Sequence, residues 1–358
     1  AKFLIAPLAK ETTAEEEQKL CEKYRQALGA ENEVPAWDQL LKASGRSYPA
    51  LIMAADEMVW QRVQQEAGGN LALSPEEADV LKNVGFAANG ETERYPLFIN
   101  GRPGSGKSTI LQYLFAHRLF MYLRKPPEER LPNPPVYLTY SQELLDVARK
   151  SVRAIIECNV HLATEHDIDF DSDGNSEYMN RSFREFQPFL LDMVPPEDKA
   201  RFVGSGYIDF PQFRLEWDYQ RKRDPEQQVR NLHPELAWHV IRTFIKGMSD
   251  SDGGYLSPEG YSELSKDHRT VSHEIFKLVF ERVCQKWYRQ ECENGRWDSQ
   301  DLTRYILDSY SEGRVEIQRY PGIYCDEAQD FTRNELELLL NLSLFSQRRL
   351  THEEVKQV

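Results

Sequence analysis

Cysteine is scarce in this chain: five in 358 residues, at positions 21, 158, 284, 292 and 325. None stands in a C-x-x-C pair, so the sequence carries neither a disulfide scaffold nor a zinc ribbon, and a reducing intracellular compartment, cytoplasmic or nuclear, is the expected setting. Long apolar runs are missing too. No stretch approaches the roughly 18 to 20 residues that cross a bilayer, so no membrane attachment is expected. The opening KFLIAPLA is soon followed by Glu15, Glu16 and Glu17 and reads as a strand or packed edge rather than a signal peptide. The chain begins at Ala1 rather than Met, which raises the expectation that it is processed or cut from something longer. Positive charge is in deficit: 44 Lys and Arg face 58 Asp and Glu, a net charge of −14. That balance excludes a protein that holds nucleic acid by bulk electrostatics, and any such contact must be local. No repeat of fixed period is present.

What remains is a chain with 40% hydrophobic and 28% charged residues, long enough for two domains or for one domain with a large insertion. Residues 1–70 read as a helical segment. Thr13 and Glu16 resemble a capping box, and a second helical pattern runs from about Pro49 to Glu66. Ser74 followed by Pro75 is a helix start. Residues 71–158 then alternate between strand and helix patterns. YPLFIN (95–100) reads as a short buried strand, STILQYLFAHRLFMYL as a helix, PVYLTYS (135–141) as a strand and QELLDVARKSVRAII as a helix. Such alternation predicts a parallel α/β sheet. Residues 159–314 change character, with few strand signals and mostly helical patterns such as HPELAWHVIRTFIKGM and VSHEIFKLVFERVCQKWYRQ. They read as a helical insertion, after which residues 315–358 return to β character with RVEIQRYPGIYC.

Two motifs carry chemistry. GRPGSGKS, from Gly101 to Ser108, satisfies G-x-x-x-x-G-K-[ST]. Gly101, Gly104 and Gly106 let the backbone turn so that successive N–H groups, with those of Arg102, Pro103's neighbours, Ser105 and Thr109, face phosphate oxygens at a helix start. Lys107 would neutralise phosphate charge, and the Ser108 hydroxyl would ligate Mg²⁺. YCDEAQDF follows a short apolar run: Asp326 can hold Mg²⁺ through water, Glu327 can orient or deprotonate an attacking water, and Gln329 can sense the γ-phosphate. Read alone, DEAQD also fits a solvated acidic helix start; beside a phosphate loop the catalytic reading is the stronger. ATP and Mg²⁺ are therefore the expected cofactors.

GRPGSGKST, VYLTYSQELLDVAR and DEAQD resemble motifs I, Ia and II of superfamily 1 helicases of the UvrD/Rep type, closest to the UvrD-like segments that some large repeat-containing proteins carry. WDSQDLTRYIL (297–307) resembles the Asp-Asp-Leu segment of that family. The resemblance implies a P-loop NTPase with a RecA-like parallel sheet, a helical subdomain between motifs Ia and II, and ATP hydrolysis coupled to movement along single-stranded DNA or RNA. It transfers strand contact to Thr139, Tyr140 and Ser141, although Tyr140 fits a buried strand position equally well. Two departures stand out. Glu77 occupies the apparent position of a glutamine that reads adenine, and a carboxylate cannot donate a hydrogen bond to the ring. The chain also ends at Val358, soon after Asp330, without the arginines of a second RecA-like domain, which is expected downstream or in trans. Such arginines supply about 10³ to 10⁵ in rate, so this chain should bind nucleotide better than it hydrolyses it.

Weaker signals point elsewhere. Cys158, His161 and His166 lack a fourth zinc ligand at conventional spacing, and Arg221, Lys222 and Arg223 read as a solvated helix face before a phosphate contact. Cys284 and Cys292 read as unpaired thiols. A nucleotide-binding regulatory or scaffold module derived from a helicase, and a P-loop ATPase unrelated to nucleic acid, are the alternative readings.

Overall fold

The computed structural model describes residues 96–102, 104–162, 173–249, 254–315 and 318–344, together with Glu77, Val80 and Leu81. The expectations for residues 1–70, and those for Pro103, Cys158, His161 and His166, lie outside the described residues or side chains. Glu77, Val80 and Leu81 are helical, while the expected helix start at Ser74 lies outside the described residues. Among the described residues the fold is mostly helical with one three-stranded parallel sheet, an α/β arrangement. No helix among the described residues is long and apolar enough to cross a membrane.

Two compact units can be distinguished, and among the described residues the chain passes between them after Glu185, after Gln318, after Asp326 and after Leu342. The first holds the sheet. Helix α1 (Lys107–Leu123) buries Ile110, Tyr113, Leu114, Phe115, Ala116, Leu119, Phe120, Tyr122 and Leu123, apolar positions around nearly its whole girth. Such a helix must be covered on several sides. Pro126 and Pro127 follow its end, where neither can continue an α-helical ladder. Strand β1 (Val136–Thr139) is buried at every position, which is the pattern of a parallel strand covered on both faces. Helix α2 (Gln142–Leu162) follows, then α3 (Asp173–Ser182), which runs without a loop into β2 (Phe183–Glu185). The last strand, β3 (Ile323–Cys325), enters from the far end of the sequence. The sheet order is β2-β1-β3, with Tyr137 level with Phe183 on one side and with Tyr324 on the other. Phe115 of α1 closes the core with edge-on contacts to Tyr137, Phe183 and Tyr324, at 5.4, 5.2 and 5.2 Å between ring centres.

One expectation fails here. Residues 97–100 form no strand, and Leu97 and Phe98 are 42% and 52% exposed rather than buried. Pro96 brings no amide donor and Gly101 turns the chain at once, so the run offers few ladder bonds. Strand β2 appears where strand signals are few. At three residues, FRE is too short to show a period of two.

The second unit is helical. Its helix α4 (Phe210–Arg221) starts at a cap where Asp209 accepts from the Gln212 amide at 2.9 Å, with Pro211 in the first turn. Phe213 and Trp217 of α4 pack with Trp238, Trp287 and Tyr288. The two stretches expected as helices contain π-helical segments, Val240–Ile245 and Val279–Tyr288. Helix α5 (Ser299–Ser311) opens on a capping box made by Asp298 and Asp301, and α6 (Arg333–Leu342) follows the DEAQD segment. Cys284 and Cys292 are free thiols, as expected. Arg221 of the basic run bonds Asp218 and the Arg230 carbonyl, and Arg223 stacks over Tyr219 at 3.6 Å.

Candidate functional site

The glycine-rich loop lies immediately before α1. Gly104 and Gly106 take φ of 75° and 79°, the left-handed region that glycine alone enters without steric cost. A Cβ at Gly101 would meet the Ser105 hydroxyl oxygen at 2.5 Å, so the loop is also tight there. The Ser105 amide bonds the Arg102 carbonyl at 3.1 Å and closes the turn. Lys107 folds its ammonium back onto this loop, donating to the Gly101 and Arg102 carbonyls at 3.0 Å each. Arg102, Gly104 and Ser105 are exposed, while Gly106, Lys107, Ser108 and Thr109 are half-buried. Helix α1 starts at Lys107 with no side-chain cap and no acidic residue in its first turn, which leaves the positive end of its dipole uncancelled by its own residues. The Glu77 carboxylate reaches this region: a Cβ added at Gly106 would collide with it.

The second element of the site comes from the end of β3. Pairing with β1 places Asp326 beside Leu138, whose carbonyl accepts from the Asp326 amide at 3.0 Å. Its carboxylate then receives two hydroxyls. Ser108 donates to Oδ1 at 3.0 Å, joining residues 218 positions apart, and Tyr137 donates to Oδ2 at 2.7 Å. Burial, reinforced by the Asp326 charge, holds the Tyr137 phenol far above its ordinary range, so it remains a neutral donor. Burial likewise pushes the neighbouring Cys325 thiol up to about 12. Tyr137 is a functional candidate that the sequence did not single out. Its place in VYLT reads as ordinary strand packing, and only the register of β1 against β3 turns its hydroxyl toward the acid.

Glu327 and Gln329 belong to the second unit. Among the described residues Glu327 is the one non-glycine with positive φ, at 52°. The turn closes where the Asp330 amide bonds the Glu327 carbonyl at 2.9 Å, and Gln329 donates its side-chain amide to the Glu327 carboxylate. At the end of β1, Thr139 is 1% exposed, while Tyr140 and Ser141 are half-buried. The Ser141 hydroxyl accepts from the Leu144 amide at 3.3 Å and so serves the start of α2. The structure thus brings Lys107, Ser108 and Asp326 together with Tyr137 in one unit.

No family model matches this chain, and no solved structure does. Over 161 residues it is 29% identical to the human TPR and ankyrin repeat-containing protein 1. That similarity covers 40% of this chain and 5% of the human protein, so the chain spans a small fraction of its relative's length.

Proposed function

We propose that this chain is an ATP-binding P-loop NTPase module with a RecA-like core: the first motor half, with its helical insertion, of a UvrD/Rep-type superfamily 1 helicase or translocase. The observation that carries the reading is the 3.0 Å bond between the Ser108 hydroxyl and Asp326. A serine at the start of a helix after a glycine loop, facing an aspartate at the end of a parallel strand, is the donor set that suits Mg²⁺ with a nucleoside triphosphate. The residues fit that group. Ser108 and Asp326 would hold the Mg²⁺, the loop amides and Lys107 the phosphates, and the bound metal would supply charge neutralisation at the β- and γ-oxygens. Lys107 would leave the Gly101 and Arg102 carbonyls to meet the phosphate. Glu327 would accept the proton of the attacking water, and Gln329, already on the Glu327 carboxylate, would orient that carboxylate or sense the γ-phosphate. Single-stranded DNA or RNA beside Thr139, Tyr140 and Ser141, a second RecA-like domain downstream or in trans, and an intracellular setting complete the proposal.

Titration of a fluorescent ATP analogue with Mg²⁺ tests it. Lys107→Ala should weaken binding about 10- to 100-fold, the value of losing a charge-assisted contact, while Glu327→Gln should retain it. Unchanged binding in the lysine variant would sink the assignment. A second reading, a nucleotide-binding switch within a scaffold, is favoured by the similarity to a segment of a protein whose name denotes TPR and ankyrin repeats. With the partner domain supplied, stimulation of hydrolysis by single-stranded DNA supports the motor; intact MgATP binding without stimulation supports the switch.

A further inference from the structure

The turn that carries Glu327 and Gln329 is strained, and the second unit contains a device that holds it. A glutamate at φ 52° persists only where its surroundings over-determine the backbone. Arg242, on the π-helical stretch Val240–Ile245, reaches the end of this turn: its Nη1 donates to the Asp330 carbonyl at 2.9 Å and its Nη2 to Glu335 Oε2 at 3.4 Å. Glu335 is completely buried. Its Oε2 also accepts from the Thr332 amide at 2.7 Å, and its Oε1 from Gln300 Nε2 at 2.6 Å. Gln300 completes the ring, accepting from the Thr332 hydroxyl at 2.9 Å.

A second line of bonds runs beside the first. Asn334 donates its side-chain amide to the Lys246 carbonyl at 2.9 Å and its backbone amide to the Gly247 carbonyl at 3.0 Å. The approach is close enough that a Cβ at Gly247 would meet the Thr332 Cβ at 2.9 Å. Phe331, next after the turn, packs edge-on against Phe186 at 4.8 Å. Phe331, Thr332, Asn334 and Glu335 are therefore held in place, and Arg242 links this framework to the turn itself. Its forked guanidinium meets a carbonyl and a carboxylate together, which a lysine ammonium does with poorer geometry. Short π-helical stretches within helices are frequent at functional sites.

We propose that Arg242 is the positioning residue for the Glu327–Asp330 turn, held to that task by buried Glu335 and Gln300, and that it governs turnover rather than nucleotide binding. This rests on the hydrolytic reading above. The test compares the full chain with Arg242→Gln and Arg242→Lys in three measurements: Mg²⁺-dependent binding of a fluorescent ATP analogue, kcat and KM for ATP hydrolysis with the second motor domain supplied, and amide hydrogen exchange across residues 327–331. Arg242→Gln should lower kcat about 10- to 100-fold with KM and nucleotide affinity within about twofold, and speed exchange in the turn at least about tenfold. Arg242→Lys should recover part of kcat, and it keeps a cation beside Glu335 should the glutamine variant fail to fold. Unchanged exchange in the turn overturns the proposal, as does a loss of nucleotide affinity parallel to the loss of kcat. A wild-type chain that binds MgATP but never hydrolyses it also overturns the proposal, leaving the nucleotide site standing. A wild-type chain that fails to bind MgATP overturns the nucleotide reading, and this catalytic role with it.

Discussion

Replacing Lys246 with methionine should cost the protein a large part of its stability, and the reason can be followed atom by atom. Lys246 is 2% exposed, and its ammonium stands 2.6 Å from an oxygen of Asp298 and 2.6 Å from one of Asp301. Tyr288 adds a hydrogen bond to Asp298 at 2.7 Å. Burial by itself would lower the Lys246 pKa, but the two carboxylates outweigh it and hold the lysine well above its usual range. Burial works against Asp298 as well, yet Lys246 keeps that carboxyl below the usual value; burial and the Asp298 charge push Asp301 up. Methionine preserves the volume and removes the cation, so the loss is electrostatic rather than a cavity. Breaking one partner out of a buried ionic cluster costs about 3 to 5 kcal/mol, against a total stability of about 5 to 15 kcal/mol. The sign with pH is specific. In the wild type the Asp298 contribution is present above the unfolded carboxylate pKa near 3.8 and is lost as pH falls through the lower folded value. Without the cation both carboxyls should titrate above their unfolded values, so Lys246→Met should become less stable as pH rises from about 4 to 7. Urea denaturation at several pH values measures both quantities, and adding Asp301→Asn should recover part of the loss. A decrease under about 1 kcal/mol, or an unchanged pH slope, would refute the reasoning.

Two further outcomes are expected. His117 sits in α1 with its pKa lowered from 6.5 to about 4, chiefly by burial and further by Arg118, so the fold prefers the neutral ring. The unfolded chain takes up a proton between those values and the native chain does not; this contribution is complete above pH 6.5 and declines down to about 4, by at most about 3 kcal/mol. His117→Gln should flatten that part of the pH profile in urea titrations, and identical slopes would contradict the assignment. At the proposed nucleotide site, Ser108→Ala and Asp326→Asn should each weaken ATP binding about tenfold in the presence of Mg²⁺ and little in EDTA, read by the same fluorescent titration; equal losses in both conditions would remove the metal role.

The elements that matter most were legible because each carries its own local signal. The glycine loop needs left-handed backbone, which Gly104 and Gly106 supply. VYLT is rich in β-formers and forms β1, while the long apolar period after Ser108 is satisfied by a helix. What could not be read depends on partners distant in sequence. PLFIN has the composition of a strand but forms none among the described residues, whereas FRE, with little β character, is a strand because Tyr137 and Leu138 pair with Phe183 and Arg184. Tyr137 joined the site through register alone. Arg242, Lys246 and Gln300 look like ordinary polar positions in helical stretches, and their roles arise from contacts to residues 88, 52 and 35 positions away.

The division between the two units has a consequence for chemistry. The chain passes from one to the other between Asp326 and Glu327, so neighbouring residues of one motif answer to different scaffolds. Asp326 is fixed by the β1 ladder, by Ser108 and by Tyr137, all within the unit that carries the glycine loop. Glu327 is fixed by a strained turn whose far end is tied to Arg242. On the proposed reading, binding and hydrolysis should then separate under mutation: changes at Lys107, Ser108 or Asp326 would act on affinity, and changes at Arg242 on turnover at constant affinity. In that scheme the motor reading requires the turn to be brought into use, and the switch reading does not. A chain with an intact loop and a loosened turn would still report nucleotide occupancy while having lost the means to convert it into work.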